Sequence, residues 1–139
     1  MSFREKSAWI SFGSILLVYA VYFSRVAATV FGDADGRGAF HWFLATVVSL
    51  VVLEVALHVI VAVMSPHEAR TPKDERERLI ELKAAATAFP VLVAGALSAI
   101  GTMHLGVGVW TMGNTVLFAI VVAELVRFGA EIVHHRRQT

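Results

Sequence analysis

The sequence predicts an all-α, polytopic membrane protein whose four transmembrane helices form two hairpins. Its 139 residues are 57% hydrophobic, and their mean hydropathy is +0.68. Charged residues make up only 17% and gather in short clusters, which leaves four long apolar segments. A spanning helix needs roughly 20 such residues, whereas a soluble domain of this size would distribute its charges over its surface. The one long polar run, at 71–83, divides the chain into two halves, each with room for a pair of spans.

The first half is predicted to contain spans at about 8–31 and 39–64. The first span is longer than the apolar region of a signal peptide and has no clean small-residue cleavage site, so we expect it to be retained. A glycine- and aspartate-rich sequence at 32–38 is typical of the turn between them. Arg25 lies near the far end of the first span, where its long side chain can reach the interface. The aromatic sequence at 41–43 suits the same level of the second span.

The polar segment at 65–81 contains two patterns typical of helix starts. Ser-Pro-His-Glu at 65–68 offers a cap, a proline at the first helical position and a glutamate at the third, and Thr-Pro-Lys-Asp at 71–74 repeats this arrangement. We therefore expect a short helix, a break, and then a second helix that begins in water and continues into the third span. Two pairs of opposite charge at four-residue spacing favour the second helix: Lys73 with Glu77, and Asp74 with Arg78.

The second half is predicted to contain spans at about 82–105 and 110–128, joined by a tight Gly-Val-Gly turn at 106–108. Pro90 is expected to kink the third span because it frees a carbonyl of the preceding turn. The fourth span is expected to continue as a helical extension towards the C-terminus. Small residues recur at four-residue spacing in the third span and favour close helix packing. They form two rows: Ala94, Ser98 and Thr102, and Gly95 and Ala99.

The basic residues predict a multi-pass protein of the inner or plasma membrane with both termini and the polar segment in the cytoplasm. In that orientation ten lysines and arginines lie inside, and only Arg25 and Arg37 lie outside. The ten are Arg4, Lys6, Arg70, Lys73, Arg76, Arg78, Lys83, Arg127, Arg136 and Arg137. A net charge of +1 without a separate basic stripe argues against nucleic acid, so the lipid bilayer is the expected partner.

The two halves share a short sequence pattern. Val-Val-Leu-Glu at 51–54 matches Val-Val-Ala-Glu at 121–124, an offset of 70 residues. At this offset the two hairpins superpose and begin on the same side of the membrane. The sequence therefore suggests a duplicated two-span unit, with a chance match between valine-rich helices as the alternative.

Four ionisable residues fall inside the predicted spans, where such groups are costly and usually face the protein interior: Glu54, His58, His104 and Glu124. Glu54 and His58 share a helix face, and Glu124 is expected at a similar depth. Three interpretations stay open: pairing that fixes helix packing, with Arg127 as a further partner; a proton or cation site; or a divalent-metal site at Glu54, His58 and Glu124. A divalent metal is the only cofactor that these residues suggest, although the Glu-x-x-His pairs of di-iron bundles are missing.

The run Asp-Glu-Arg-Glu-Arg-Leu-Ile-Glu-Leu-Lys-Ala at 74–84 resembles the signature of a family of small, uncharacterised prokaryotic membrane proteins with several spans. The sequence Ala-Glu-Leu-Val-Arg-Phe-Gly-Ala-Glu-Ile at 123–132, in the tail of the fourth span, is similar to the region C-terminal to that signature in the family. The resemblance implies a multi-span architecture and supplies no catalytic residues. Its charged motif is either a solvated helix face or a docking surface made by Asp74, Glu75, Arg76, Glu77 and Arg78.

The sequence lacks cysteine, a phosphate-binding loop and a zinc-protease motif, which argues against an enzyme. We expect a non-enzymatic interaction, assembly or regulatory subunit that works as a homo-oligomer or within a membrane complex through residues 74–78. Two alternatives stay open. One is a small proton- or cation-coupled transporter that uses Glu54 and Glu124. The other is an intramembrane metal-binding protein or metalloenzyme.

Overall fold

A computed structural model describes residues 3–31, 39–70, 72 and 74–137. The helices are α1, Phe3–Phe31; α2, Ala39–Met64; α3, Pro66–Arg70; α4, Glu75–Thr102; and α5, Val109–Arg137. They form two compact units, Met1–Thr71 and Pro72–Thr139, each with one pair of long helices. The predicted all-α class is therefore confirmed over the described residues. The predicted turn at 32–38 and Lys73 of the predicted Lys73–Glu77 pair lie outside them.

Three of the four long helices are long and apolar enough to cross a membrane. Their apolar stretches are Phe3–Ala28, His41–Met64 and Glu75–Leu105, with mean hydropathies of 1.6, 2.6 and 1.8. The most apolar part of α2 buries none of its described residues inside the protein. A helix that is apolar all round and exposed in this way is costly in water and suits a lipid surrounding. These three helices indicate a membrane protein; α5, which contains the fourth predicted span, is not among them.

The first unit is an antiparallel pair of helices, α1 and α2. Towards the end of α1 and the start of α2, the rings of Tyr22 and Phe43 meet edge to face, with centroids 6.4 Å apart. The guanidinium of Arg25 lies 4.8 Å from the centroid of the Trp42 ring, a cation–π contact worth about 0.5–2 kcal/mol. Arg25 and the aromatic sequence, expected at one level of the membrane, are therefore in contact.

The start of α4 differs from the prediction, whereas α3 begins at Pro66 as expected. The helix start predicted at 71–74 is wrong, because α4 begins at Glu75 with Asp74 as its N-cap. Asp74 accepts from the backbone N–H of Glu75 at 2.7 Å, and the Glu77 carboxylate accepts from the N–H of Asp74 at 3.3 Å. This reciprocal capping box needs a side chain long enough to reach back from the third helical position. In a helix capped by Thr71 the third helical position would be Asp74, whose side chain is one methylene shorter than that of glutamate.

The second unit is formed by α4 and α5, which are in close contact at Gly95. A Cβ atom built on Gly95 would lie 2.4 Å from the Cβ of Ala119, so only glycine permits this approach. Ala99, one turn further on, is buried. The predicted row of Gly95 and Ala99 therefore faces α5. In the other predicted row Ala94 and Ser98 are exposed, and the Ser98 hydroxyl donates to the Ala94 carbonyl, so these two residues do not pack within the unit.

The connection between α4 and α5 contains the turn that was predicted. α4 ends at Thr102, a 3₁₀ turn comes next at Met103–Leu105, and Gly106 has a φ of +66°. This left-handed conformation favours glycine, which has no Cβ to clash with the backbone. α5 then continues to Arg137, so the helix itself extends past residue 128, where the fourth predicted span was expected to end. α4 is helical on both sides of Pro90.

Candidate functional site

A carboxyl group inside α2 is surrounded by hydroxyl groups of α1. Oε2 of Glu54 accepts a hydrogen bond from Ser11 Oγ at 3.0 Å, and Oε1 accepts one from Ser14. Both serines are buried, and the Glu54 side chain is 22% exposed. Hydrocarbon offers no hydrogen bonds to a polar group, so a carboxylate there needs partners from the protein. The first hairpin supplies these partners from its own side chains.

Ser14 is placed to serve Glu54 in either protonation state. Its Oγ also lies 2.6 Å from the carbonyl oxygen of Ile10. A hydroxyl has one hydrogen to donate and lone pairs that accept. When Glu54 is ionised, Ser14 donates to its carboxylate. When a proton is on Oε1, the carboxyl donates to Ser14, and Ser14 donates to Ile10; when the proton is on Oε2, Oε1 still accepts from Ser14. The carboxyl can therefore gain or lose a proton while Ser14 remains hydrogen-bonded to it.

His58 lies one turn beyond Glu54 on α2 and contacts it at two points. Its Nδ1 is 2.8 Å from the backbone carbonyl oxygen of Glu54 and 3.3 Å from Oε2. The backbone carbonyl oxygen can only accept, so Nδ1 carries the hydrogen in this hydrogen bond. Nε2 lies 2.8 Å from Ser7 Oγ, and in a neutral ring it accepts from that hydroxyl. The His58 side chain is 37% exposed, so the cluster is more accessible at His58 than at Glu54.

Sequence reasoning identified Glu54 and His58 but missed the serines that contact them, Ser7, Ser11 and Ser14, which we call the serine row. Their spacing of four and then three residues places them on one face of α1. Glu54 and His58, four residues apart, present a matching face on the antiparallel neighbour. Searching the first span for hydroxyl groups at helical spacing would have found the row. Together these five residues form the polar cluster.

Glu124 lies in the second unit and forms an ion pair along its own helix. Its Oε2 is 2.8 Å from Nη2 of Arg127, one of the partners expected for it. Both side chains are more than one-third exposed. The Arg127 guanidinium also lies 4.4 Å from the centroid of the Phe128 ring. The structure therefore gives Glu124 a neutralising partner on α5.

The other predicted site residues have less specific surroundings. His104 is exposed in the 3₁₀ turn after α4, rather than inside a helix. Within either unit, no three histidine, aspartate or glutamate side chains of the described residues come together to hold a metal ion. The metal site that combines Glu54, His58 and Glu124 stays a prediction.

The predicted docking residues lie at the start of α4. Glu77 is half-buried and takes part in the capping box. The other four are exposed: Asp74, Glu75, Arg76 and Arg78. Part of the charged motif therefore defines where the helix begins.

Comparisons of the chain with protein-family models, characterised proteins and solved structures found no match. The resemblance to a family of small multi-span proteins stays a prediction. The function has to be inferred from the polar cluster itself. A carboxyl group with partners in both protonation states, beside a histidine, is suited to binding and releasing a proton.

Proposed function

We propose that the chain is a four-span integral membrane protein that binds and releases a proton at Glu54, as a small proton-coupled transporter. Such transport requires a group within the membrane that exchanges its ion with water, and ionisable residues in spans commonly serve this purpose. Glu54 lies in the most apolar of the candidate spans, and its carboxyl group accepts hydrogen bonds from two serines of the neighbouring helix. It therefore combines an apolar helix with polar partners for an ionisable group.

The observation that carries this proposal is the position of Ser14 between Glu54 and the Ile10 carbonyl. A carboxyl group that only fixes helix packing needs partners in one protonation state. Glu54 keeps a hydrogen bond to Ser14 in both, so neither form leaves this side of the carboxyl group without a partner. Hydroxyl, carboxylate and carbonyl oxygens also suit small monovalent cations, so sodium is the alternative ion that the experiment must separate.

In the proposed topology, four helices span the inner or plasma membrane, and both termini lie in the cytoplasm. α1, α2 and α4 supply three candidate spans. We assign α5 as the fourth span, because the number of crossings must be even when both termini lie in the cytoplasm. Its last turn contains His134, His135, Arg136 and Arg137, which would then join the other basic residues inside. The exposed apolar surface of α2 leaves room for a second copy of the chain, so a homo-oligomer is part of the proposal.

Modification by dicyclohexylcarbodiimide, which reacts with protonated carboxyl groups in apolar surroundings, tests the proton site. We expect labelling of Glu54 in detergent micelles, measured by mass spectrometry, to decrease as the pH is raised. Glu54→Gln removes this label, whereas Glu124→Gln retains it and serves as the matched control. Protection by sodium at constant pH would identify a cation site instead. Absence of the label on Glu54 at every pH would contradict both.

A second candidate function, as an interaction or assembly subunit, is favoured by the exposure of Glu75 and Arg78 at the start of α4. The capping box gives Asp74 and Glu77 a structural role, so these two residues no longer require a partner to explain them. Glu75 and Arg78 remain as the charges available to a docking protein or a second copy. The resemblance of 74–84 to a family signature supports the same segment.

Charge reversal separates docking from helix capping. We expect Glu75→Lys alone to abolish association in detergent pull-downs or cross-linking from native membranes, because the positive charge that Glu75 meets, on another protein or on a second copy, would then be repelled. Asp74→Asn is the control, since asparagine caps helices about as well as aspartate. Unchanged association of the charge-reversed protein would leave the proton site as the sole candidate function.

A further inference from the structure

Building on the proposed proton site, we propose that Ser7 and His58 form the path by which protons reach Glu54 from one end of the first hairpin. The hydrogen bonds of these three residues share one direction. Ser7 donates to Nε2 of His58 over 2.8 Å, and Nδ1 donates to the backbone carbonyl oxygen of Glu54 at 2.8 Å, with the carboxylate oxygen Oε2 a further 3.3 Å neighbour of Nδ1. A chain of donors with the same direction is what stepwise proton transfer requires.

The transfer can be written with every proton accounted for. A hydronium ion gives a proton to Ser7 Oγ and becomes water as the Ser7 hydroxyl proton moves to Nε2 of His58. The imidazolium then loses its Nδ1 proton to Oε2 of Glu54. Glu54 becomes neutral, and the ring is left with its hydrogen on Nε2 instead of Nδ1. Release takes the reverse sequence, since the Nε2–H form is the tautomer that returns a proton to Ser7. In this tautomer Nδ1 no longer donates to the backbone carbonyl of Glu54 and instead accepts from the Glu54 carboxyl group.

Among the described residues of the hairpin, polar side chains continue the path towards the end at which α1 begins. Ser7 lies four residues after Phe3, where α1 begins, and His58 lies six residues before Met64, where α2 ends. At roughly 1.5 Å per residue, both are within about 10 Å of the helix ends. Beyond Glu54 in the other direction, positions 15–18 of α1 and 50–53 of α2 are all apolar. Protons therefore exchange with the side on which α1 begins, which is the predicted cytoplasmic side.

Few other titratable groups lie in the two packed helices, so few others can contribute to a spectroscopic signal of proton transfer along this path. Between Lys6 and Arg25 of α1 the only titratable side chains are tyrosines, and between His41 and Met64 of α2 they are Glu54 and His58. Charged and titratable residues flank the open end in the first turn of α1 and in α3, among them Arg4, Glu5, Lys6, His67 and Arg70. Changes of protonation in the middle of the hairpin can thus be assigned to Glu54 and His58.

Infrared difference spectroscopy after a pH jump measures the rate of proton arrival at Glu54, through the carbonyl band that Glu54→Gln removes. Positioned proton-transfer groups contribute about 10²–10⁴-fold to rates. We therefore expect Ser7→Ala to slow, by tenfold or more, the appearance of the Glu54 carbonyl band after the pH is lowered, without changing the final amplitude of the band. Ser24→Ala is the matched control, because the Ser24 hydroxyl is exposed and donates to Val21 of its own helix. Ser7→Thr, which keeps the hydroxyl, should restore the rate.

Nitrogen NMR of isotopically labelled histidine tests the same path in the unaltered protein. We expect the Nδ1–H tautomer at His58 while Glu54 is ionised, with the His58 signal identified from the His58→Gln spectrum. An Nε2–H tautomer in that state, or an unchanged rate in Ser7→Ala, would overturn the path and leave the proton site intact. Absence of any Glu54 carbonyl band would instead reject the proton site, and the path with it.

Discussion

Gly95→Ala is expected to lower the free energy of unfolding by about 1–3 kcal/mol, the usual cost of overpacking a close contact. The new Cβ would lie 2.4 Å from the Ala119 Cβ and 3.2 Å from its Cα. Neither atom belongs to a flexible side chain, so α4 and α5 must separate to relieve the clash. Separation weakens the small-residue contact along the hairpin, and lipid does not compensate because it cannot fill the gap between two packed helices. Unfolding by sodium dodecyl sulfate in mixed micelles, monitored by circular dichroism, measures the change.

The same substitution elsewhere in α4 isolates the steric term. A Cβ on Gly101 would meet nothing within 4 Å, so Gly101→Ala should leave stability unchanged or raise it by up to about 1 kcal/mol, since alanine is the better helix former. Adding Ala119→Gly to Gly95→Ala removes the closer of the two clashing atoms and should recover part of the loss. Equal stability of the Gly95→Ala and Gly101→Ala proteins would show that the helices do not approach closely at Gly95.

Composition and periodicity were sufficient to predict the long helices, because runs of apolar residues, glycine turns and charged breaks are local signals. The same signals failed at the start of α4. Two overlapping cap patterns compete there, and the length of the side chain at the third helical position decides between Thr71 and Asp74. They also could not choose between the two rows of small residues. Which row faces α5 depends on the rotation of α4 about its axis, and that is set by the partner helix rather than by α4 alone.

The polar cluster shows a different limit of sequence reasoning. Glu54 and His58 were conspicuous because charge is rare inside a span, whereas serine is common in membrane helices and is not informative by itself. The serine row acquires meaning only when α1 is paired with α2 in one register. A residue-by-residue search therefore finds the carboxyl group and overlooks the hydroxyl groups that solvate it.

The suggested repeat does not extend to the chemistry of the cluster. At the offset of 70 residues, Glu124 corresponds to Glu54, but the positions of Ser11 and Ser14 hold Glu81 and Ala84 in α4, and the position of His58 holds a phenylalanine. Glu124 is instead paired with Arg127. The two carboxyl groups therefore have different surroundings: one is solvated by neutral donors and a histidine, and the other is neutralised by a cation on its own helix. The proton function is accordingly assigned to the first hairpin alone.

Ser11→Ala combined with Ser14→Ala is expected to lower the free energy of unfolding by about 2–3 kcal/mol. Interhelical hydrogen bonds between membrane helices average about 0.6 kcal/mol and reach about 1.7, and bonds to a charged acceptor lie at the upper end of such ranges. Both serines donate to Glu54, so their joint removal leaves its carboxylate with His58 as its remaining side-chain contact among those described.

Replacing the acceptor tests whether the serines act through Glu54. In a Glu54→Leu background the same two serine substitutions should cost less than about 0.5 kcal/mol, because a polar pair replaced on both sides by apolar groups loses little. Ser24→Ala with Ser98→Ala is the matched control, since these hydroxyls are exposed and donate to carbonyls of their own helices. A double-mutant cycle with equal costs in both backgrounds would mean that Ser11 and Ser14 stabilise the hairpin by packing alone. Glu54 would then lack the solvation on which proton exchange inside the membrane depends.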